Sequence, residues 1–227
     1  MEFTVVACNT LRDEINSVLE QINHDFNFYW IDSGLHNYPN KLNINIQKVL
    51  DEIKNAENIL LLFGYCGKAI QGIHSKYANI IFPKVDDCIS LFLGGIQRKL
   101  DLEAQAPAYY FTKGYLENEY NLWFEYKYCI NKYGKSRAKK LMKRMLQNYE
   151  YIRVIDTKAY QLDNIIPQTQ RIAKEFDLNH EVVEGSLELI KKALMGKWDD
   201  NFIIKEKGSK ITLSDIGIDP KMNNCIY

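Results

Sequence analysis

The stretch that decides the fold is ILLLFGYCG, residues 59–67. Its first five residues form an uninterrupted apolar run of strand length, which is typical of a strand with both faces covered, as in the middle of a parallel sheet. The glycines and the cysteine that follow indicate a loop at the carboxyl end of that strand, where open parallel sheets bind their ligands. We therefore predict a central strand over residues 59–63 with a functional loop directly after it.

Strand-like and helix-like segments alternate on both sides of this run, which is the pattern of βα units around a parallel sheet. The predicted strands cover residues 3–7, 26–31, 59–63, 79–82, 108–111, 151–155, 181–183 and 202–204. The predicted helices cover residues 11–22, Pro39 to about residue 55, the segment capped by Asp86 or Asp87, part of 164–176, and 186–195. The fold class is therefore α/β, with a mainly parallel sheet and helices on both of its faces.

Two segments depart from the βα pattern. Residues 115–148 are rich in aromatic side chains and predict a helical insertion of two helices, broken near Tyr133 and Gly134. Residues 208–227 form a polar tail. Because a chain of 227 residues without a linker-like run fits one hydrophobic core, we predict a single α/β domain over residues 1–227.

The charges of the chain balance, with 29 Lys and Arg against 29 Asp and Glu. A protein without excess positive charge has little attraction for a phosphate backbone or an anionic membrane, so we expect neither nucleic acid nor membrane as a partner. No apolar stretch approaches the ~20 residues that cross a bilayer. The N-terminus also lacks the basic start of a signal peptide, so we expect a cytoplasmic protein.

Four potential metal ligands fall directly after the first four predicted strands. In strand order they are Cys8, His36, Cys66 and Cys88. Because the carboxyl ends of parallel strands meet at one edge of a sheet, these side chains are placed to converge. Free cysteines also occur as ordinary buried residues, and this is how we interpret Cys129 in its aromatic helix and Cys225 in the tail.

The ligand types predict a zinc ion or an iron–sulfur cluster. Three thiolates and an imidazole would close a tetrahedral zinc site, whereas three ligands leave one position open for a substrate. A [4Fe-4S] cluster held by three cysteines likewise leaves one iron free. Because no CxxC pair is present, we expect a reactive centre held by Cys8, Cys66 and Cys88, with His36 as a further ligand. On the thiolate count alone, we prefer the [4Fe-4S] cluster to zinc.

Other polar residues after the strands are candidates for acid–base or charge-pairing roles. We predict His36, Lys68 and Asp87 as catalytic residues. Further candidates are Asp86, Thr112, Lys113, Asp156 and Thr157. Each of these also has an ordinary interpretation as a helix cap or a solvated loop residue.

The aromatic side chains of residues 109–133 admit two interpretations. They could form a lid or cage for a cationic or planar small-molecule substrate. They could also form part of the core or a subunit contact, in which case the protein would be a homodimer. Nucleotide-binding glycine motifs and the GxSxG elbow of serine hydrolases are missing from the sequence, so neither class of site is expected.

Five blocks of the chain resemble, in order, the motifs of domain-of-unknown-function family 1638. They are VAC at 6–8 with Leu11, DSGLH at 32–36 with Pro39 and Leu42, FGYCG at 63–67, DDCI at 86–89 and TKGY at 112–115. The resemblance spans roughly residues 3–204, and Lys113 stands where we expect the family to have proline. It implies a bacterial or archaeal protein associated with corrinoid-dependent methyl transfer, in which the strand-end cysteines and His36 belong to the family motifs.

These observations predict one of two functions. The first is an enzyme whose metal centre has an open position for a small substrate and which acts in methyl- or sulfur-group transfer or removal. The second is a non-enzymatic metal or corrinoid carrier that serves a methyltransferase partner. Both would use the same ligands, and they differ in whether a substrate is turned over.

Overall fold

A computed structural model describes residues 3–22, 24–117 and 121–216. The strands are β1 (Thr4–Cys8), β2 (Asn27–Ile31), β3 (Asn58–Leu62), β4 (Asn79–Pro83), β5 (Ala108–Phe111), β6 (Tyr151–Asp156), β7 (Asn179–Glu184) and β8 (Phe202–Lys205). The helices are α1 (Arg12–Ile22), α2 (Pro39–Glu52), α3 (Cys88–Phe92), α4 (Ile96–Gln105), α5 (Lys113–Leu116), α6 (Leu122–Tyr133), α7 (Lys135–Met145), α8 (Ile166–Phe176) and α9 (Glu188–Leu194). Each predicted strand is present, and its bounds agree within two residues.

The first sheet has the strand order β2-β1-β3-β4-β8. Strands β1, β2, β3 and β4 pair in parallel, and β8 pairs with β4 in the antiparallel direction at the edge of the sheet. The central position of β3 confirms the prediction from its apolar run. Because successive side chains of a strand point to opposite faces, the complete burial of residues 59–62 shows that both faces of β3 are covered.

The remaining strands form a second parallel sheet in the order β5-β6-β7, whereas the sequence predicts a single sheet. The alternation of strands and helices identifies each βα unit but not which strands pair. The edge of β4, which β5 would have extended, is occupied instead by β8 from the far end of the chain. The larger buried cluster includes Ala108 and Ile155 from the second sheet, so the two sheets share it.

The predicted helical insertion is the crossover between β5 and β6 and forms part of the core. The predicted break is confirmed at Gly134, where φ is 78° and α6 gives way to α7. Both helices pack against the second sheet in a smaller buried cluster, to which Tyr126, Cys129 and Met142 contribute. Cys129 is buried there, in agreement with its interpretation as a structural residue, while Cys225 lies outside the described residues.

A buried arginine attaches α4 to the second sheet. The Arg153 side chain on β6 is 2% exposed and donates to the carbonyl oxygens of Leu102 at 2.7 Å and Ala106 at 3.0 Å. Its Nε donates to Glu181 on β7 at 2.8 Å. These bonds fix the C-terminal end of α4, the helix that carries Lys99.

The start of the predicted polar tail packs against the first sheet's loops. Ile211 is buried and exchanges backbone hydrogen bonds with residues 72 and 73. Residues 217–227 lie outside the described part of the chain. Among the described helices, none combines the length and the apolar character that a membrane span requires.

Candidate functional site

A cavity of about 350 Å³ lies at the carboxyl ends of β1, β3 and β4, where a parallel sheet places its ligand site. All four predicted metal ligands line this cavity, which we call the thiol cavity; they are Cys8, His36, Cys66 and Cys88. The other lining residues are Thr10, Asp32, Leu42, Phe63, Asp87, Ile89, Phe92, Lys99, Glu103, Ala108, Tyr109, Tyr110, Tyr115 and Tyr149. The structure therefore brings together the residues that strand-end position selects.

Backbone pairing that continues beyond β3 and β4 places Cys66 beside Cys88. The N–H of Cys66 donates to the carbonyl oxygen of Asp86 at 2.9 Å. The two loops approach so closely that a Cβ atom on Gly64 would lie 2.3 Å from the Cα atom of Asp87, which is shorter than any tolerated contact. The missing side chain at Gly64 is therefore what allows the two cysteine loops to meet.

The loop that carries Cys66 has an unusual left-handed conformation. Cys66, Gly67 and Lys68 have φ angles of 43°, 63° and 73° in succession. A left-handed conformation costs a residue with a side chain about 1–2 kcal/mol, and such strain is concentrated at functional sites. Cys66 lines the thiol cavity, whereas Lys68, which the sequence predicts to be catalytic, is not among the residues that line it.

Cys88 lies next to both of the other cysteines of the cavity. The side chain of Cys88 interacts with those of Cys8 and Cys66, and Cys8 Sγ lies 3.0 Å from the hydroxyl of Thr10. The hydrogen bond with Cys88, followed by burial, raises the pKa of Cys8 well above its usual value. The hydrogen bond with Cys66 does the same for the pKa of Cys88. At neutral pH, Cys8 and Cys88 are therefore protonated thiols.

His36 presents a buried nitrogen without a partner. Its Nδ1 contacts the carbonyl oxygen of Ser33, and because a carbonyl can only accept, Nδ1 carries the hydrogen. Burial lowers the pKa of His36, so the ring is neutral and Nε2 holds a free lone pair. Among the described residues, Nε2 has no hydrogen-bond partner. A neutral imidazole anchored through one nitrogen is the usual form of a histidine metal ligand.

Asp87 is a helix cap and an ion-pair partner in the cavity wall. Its carboxylate accepts from the N–H of Ser90 at 3.0 Å, which makes Cys88 the first residue of α3. Lys99 of α4 contacts the carboxylates of Asp86 and Asp87 at 2.7 and 2.6 Å. Burial opposes the charge of Lys99, but the two carboxylates outweigh it and raise the pKa of the lysine. Asp87 thereby fixes both the cysteine and the lysine at the cavity.

The other strand-end candidates have structural partners. Thr112 caps α5, Lys113 pairs with Asp13 at 2.9 Å, Asp156 contacts Lys158, and the hydroxyl of Thr157 donates to Glu14 at 3.1 Å. None of these four candidates is among the residues that line the thiol cavity. Their polar character is therefore explained by local hydrogen bonds.

The far wall of the cavity comes from β5, α5 and the segment before β6, where the sequence offers a lid or cage as one of two interpretations of residues 109–133. Tyr109 and Tyr115 contribute to it, and their hydroxyl oxygens lie 2.9 Å apart. Gly114 allows α5 to approach β1, because a Cβ atom there would lie 2.4 Å from the carbonyl oxygen of Thr10. The aromatic density of residues 109–133 is the sequence signal for this wall, whereas Lys99 gives no comparable signal.

The donor chemistry of the cavity fits a soft metal centre that is not preformed. Within residues 3–22, 24–117 and 121–216, no three His, Cys, Asp or Glu side chains already surround a point that could hold a metal ion. Cys88 instead lies next to the other two cysteines, and the raised pKa values of Cys8 and Cys88 keep those two thiols protonated. Each cysteine turns about one torsion with three staggered positions, so bringing three thiolates to one centre requires rotations of these side chains. Thiolates and imidazole are the ligands that zinc and iron–sulfur clusters select.

Comparisons with known proteins identify the family of the chain. No curated protein and no solved structure matches it. The family described as protein of unknown function (DUF1638) matches residues 30–194. The matched range contains His36, Cys66 and Cys88, and Cys8 precedes it. Because the match covers most of the chain and agrees with the motifs in the sequence, the protein belongs to the DUF1638 family.

Proposed function

We propose that the protein is a metal-dependent group-transfer enzyme whose centre is held by Cys8, Cys66 and Cys88. The observation that supports this proposal is the meeting of three thiols, from three separate strand ends, in one cavity with the unpartnered Nε2 of His36. Ordinary buried cysteines have no reason to gather in this way, as the isolated and buried Cys129 illustrates.

The close placement of the cysteine loops favours a single ion over a cluster. Tetrahedral zinc with Zn–S bonds of about 2.3 Å holds its sulfur atoms about 3.8 Å apart, which suits cysteines on neighbouring loops that the backbone already pairs. A [4Fe-4S] cluster distributes three cysteines over three different irons and separates them further. We therefore place zinc ahead of the [4Fe-4S] cluster that the thiolate count alone prefers.

The residues around the centre have distinct roles in this proposal. A bound zinc ion supplies a Lewis acid that activates a soft atom of the substrate, sulfur above all. Nε2 of His36 accepts or returns a proton within the cavity, or completes the ligand set. The ammonium group of Lys99 pairs with the carboxylates of Asp86 and Asp87 and holds Asp87 at the wall.

We propose methyl- or sulfur-group transfer, or removal of such a group, as the reaction class. A thiolate-rich centre suits substrates with soft atoms, and the family resemblance implies methyl transfer in a corrinoid-dependent system. The cavity has the volume of a small-molecule site, which fits a small substrate better than a polymer.

Metal analysis of anaerobically purified protein tests the metal centre. We expect about one equivalent of zinc in the wild-type chain and in Cys129→Ser, and its loss in Cys66→Ser and Cys88→Ser, because each removes one of three ligands. A brown protein with iron and acid-labile sulfide would indicate the cluster instead. Metal-free wild-type protein that also fails to bind added zinc or iron would refute both versions.

The pH dependence of zinc binding is an independent test of the proposed cysteine ligands. Since Cys8 and Cys88 are protonated in the metal-free protein, zinc must displace their protons, and its affinity rises with pH by about tenfold per unit for each proton released. Competition with a chromophoric chelator between pH 6 and 8 measures this slope. A carrier without catalytic activity would bind zinc with the same pH dependence but would convert no substrate into product.

A further inference from the structure

A second cavity, of about 340 Å³, adjoins the thiol cavity. The two cavities share Tyr109, Tyr115 and Tyr149, which we call the tyrosine wall. On its far side, the second cavity is closed by the hairpin of α6 and α7. A ligand against the tyrosine wall therefore lies next to the chamber that holds the three thiols.

The rings of the tyrosine wall are inclined to one another at large angles. The centroids of Tyr109 and Tyr149 are 5.8 Å apart with an angle of 79° between the planes. Those of Tyr109 and Tyr115 are 6.2 Å apart at 48°, and the hydrogen bond between their hydroxyls holds this arrangement. The three rings therefore pack against one another in edge-to-face and tilted contacts and form one continuous aromatic surface. A cation that lies over a ring face of this surface is attracted by the ring electrons.

The charge that lines the second cavity is negative, as far as its described residues show. Glu125 is the charged side chain among its described lining residues, which include no Lys, Arg or His. The Glu125 carboxylate is close enough to Tyr109 to contribute to that residue's raised pKa, although burial is the main cause. A neutral phenol ring attracts a cation through its electron-rich face, so the tyrosine wall needs no phenolate to bind one.

We propose that the tyrosine wall binds a small onium cation, a quaternary ammonium or sulfonium ion that carries methyl groups, with Glu125 as its counter-charge. The binding itself is independent of the metal centre. The assignment of this cation as the substrate class rests on the proposed function, because the shared wall places the ligand beside the thiol cavity. Tyr38 is left out of the cage, since Lys41 already lies 4.6 Å from its ring centroid.

Calorimetric titration with choline and with 3,3-dimethyl-1-butanol tests the proposal. The two probes have the same shape, and the alcohol lacks the positive charge. We expect choline to bind at least tenfold more tightly than the alcohol, because only the cation gains from ring faces and a carboxylate. Tetramethylammonium and trimethylsulfonium chlorides then distinguish the two onium classes.

Substitutions locate the binding site. We expect Tyr149→Leu and Glu125→Gln each to weaken choline binding by about tenfold, since each removes one attraction for the charge, while Tyr149→Phe retains binding because it keeps the ring. Tyr77→Leu is the matched control, because Tyr77 is an exposed tyrosine outside both cavities. Circular dichroism verifies that each variant is folded.

Failure of the cage and failure of the metal centre give different results. Equal affinity for the two probes, no choline binding at millimolar concentration, or unchanged binding in folded Tyr149→Leu and Glu125→Gln would overturn the cage. Choline binding that persists in Cys66→Ser, alongside the loss of zinc, would support a cage that is separate from the metal ligands. Choline binding in a wild-type protein that binds no metal would retain the cage and refute the proposed function.

Discussion

Glu14 is a carboxyl group that the fold buries completely at the start of α1. Burial raises the pKa of Glu14 to about 7. A hydrogen bond from the Thr157 hydroxyl favours the ionised form and opposes this shift, but burial is the larger effect. Its second carboxyl oxygen, Oε2, has no hydrogen-bond partner among the described residues. A buried carboxylate without full solvation is costly, so the folded protein holds a proton on Glu14 that the unfolded chain would release.

We expect Glu14→Gln to remove a pH-dependent loss of stability. Because the folded pKa of about 7 exceeds the usual 4.5, stability falls as pH rises between these values. The amide keeps the hydrogen bond and cannot ionise, so the variant should gain up to about 3 kcal/mol at pH 8 and little at pH 4. Urea unfolding at both pH values measures this. Glu20→Gln, at an exposed position of α1, is the control, and parallel pH profiles for wild type and Glu14→Gln would contradict the interpretation.

The sequence predicts that Cys8, His36, Cys66 and Cys88 lie near one another, and all four line the thiol cavity, but their chemical state could not be predicted. Strand-end position selects Cys8, Cys66 and Cys88 because the carboxyl ends of parallel strands share an edge. The protonated state of two of these thiols depends on which sulfur contacts which, and that depends on side-chain geometry. The orphan nitrogen of His36 likewise depends on its neighbours in space.

Among the elements, the paired loops after β3 and β4 determine whether the thiols meet. We expect Gly64→Ala to destabilise the protein by at least about 3 kcal/mol and to abolish zinc binding, because its methyl group would collide with the backbone of Asp87. Gly134→Ala is the control. Its φ of 78° and ψ of 156° strain any side chain, so the substitution should cost about 1–3 kcal/mol, but the space around it is open and zinc binding should stay intact.

Thermal unfolding and zinc titration of the two glycine variants check this expectation. A Gly64→Ala protein with wild-type zinc affinity would show that the close approach of the two loops is not needed for the site.

Local patterns predict the elements well and their pairing poorly. The apolar run of β3 and the break at Gly134 are local signals, and both are confirmed. The separation into two sheets depends on β8, which returns from more than a hundred residues away to pair with β4. The sequence of a short strand does not indicate which strand it pairs with, so the βα pattern does not predict the pairing of β8 with β4.

In the whole molecule, the candidate site depends on both sheets. The loops of the first sheet supply the thiols, and β5, α5 and the segment before β6 supply the tyrosine wall. Lys99 on α4 also lines the cavity. Arg153 holds the end of this helix. The relative placement of the sheets therefore determines the shape of the cavity. From the sequence, a lid or cage is one of two interpretations of the aromatic residues 109–133, and Tyr149 lies outside that range.

We expect Arg153→Leu to destabilise the whole protein by about 3–5 kcal/mol, because it leaves buried carbonyl oxygens and the carboxylate of Glu181 without their donor. Arg137→Leu, at an exposed position of α7, should change stability by less than about 0.5 kcal/mol. Differential scanning calorimetry compares the two variants. Equal melting temperatures would show that Arg153 does not tie the helix to the sheet.

The antiparallel strand β8 also prevents the edge of β4 from pairing with another copy of the chain. It covers the edge of β4, where buried residues such as Ile81 and Phe82 would otherwise stand beside unpaired backbone groups. An apolar strand edge of this kind is a template for aggregation with other chains. The family match ends at residue 194, before β8 begins, so a fragment trimmed to the matched region would lose this protection. Shortened versions intended for crystallisation should retain the chain through at least residue 205.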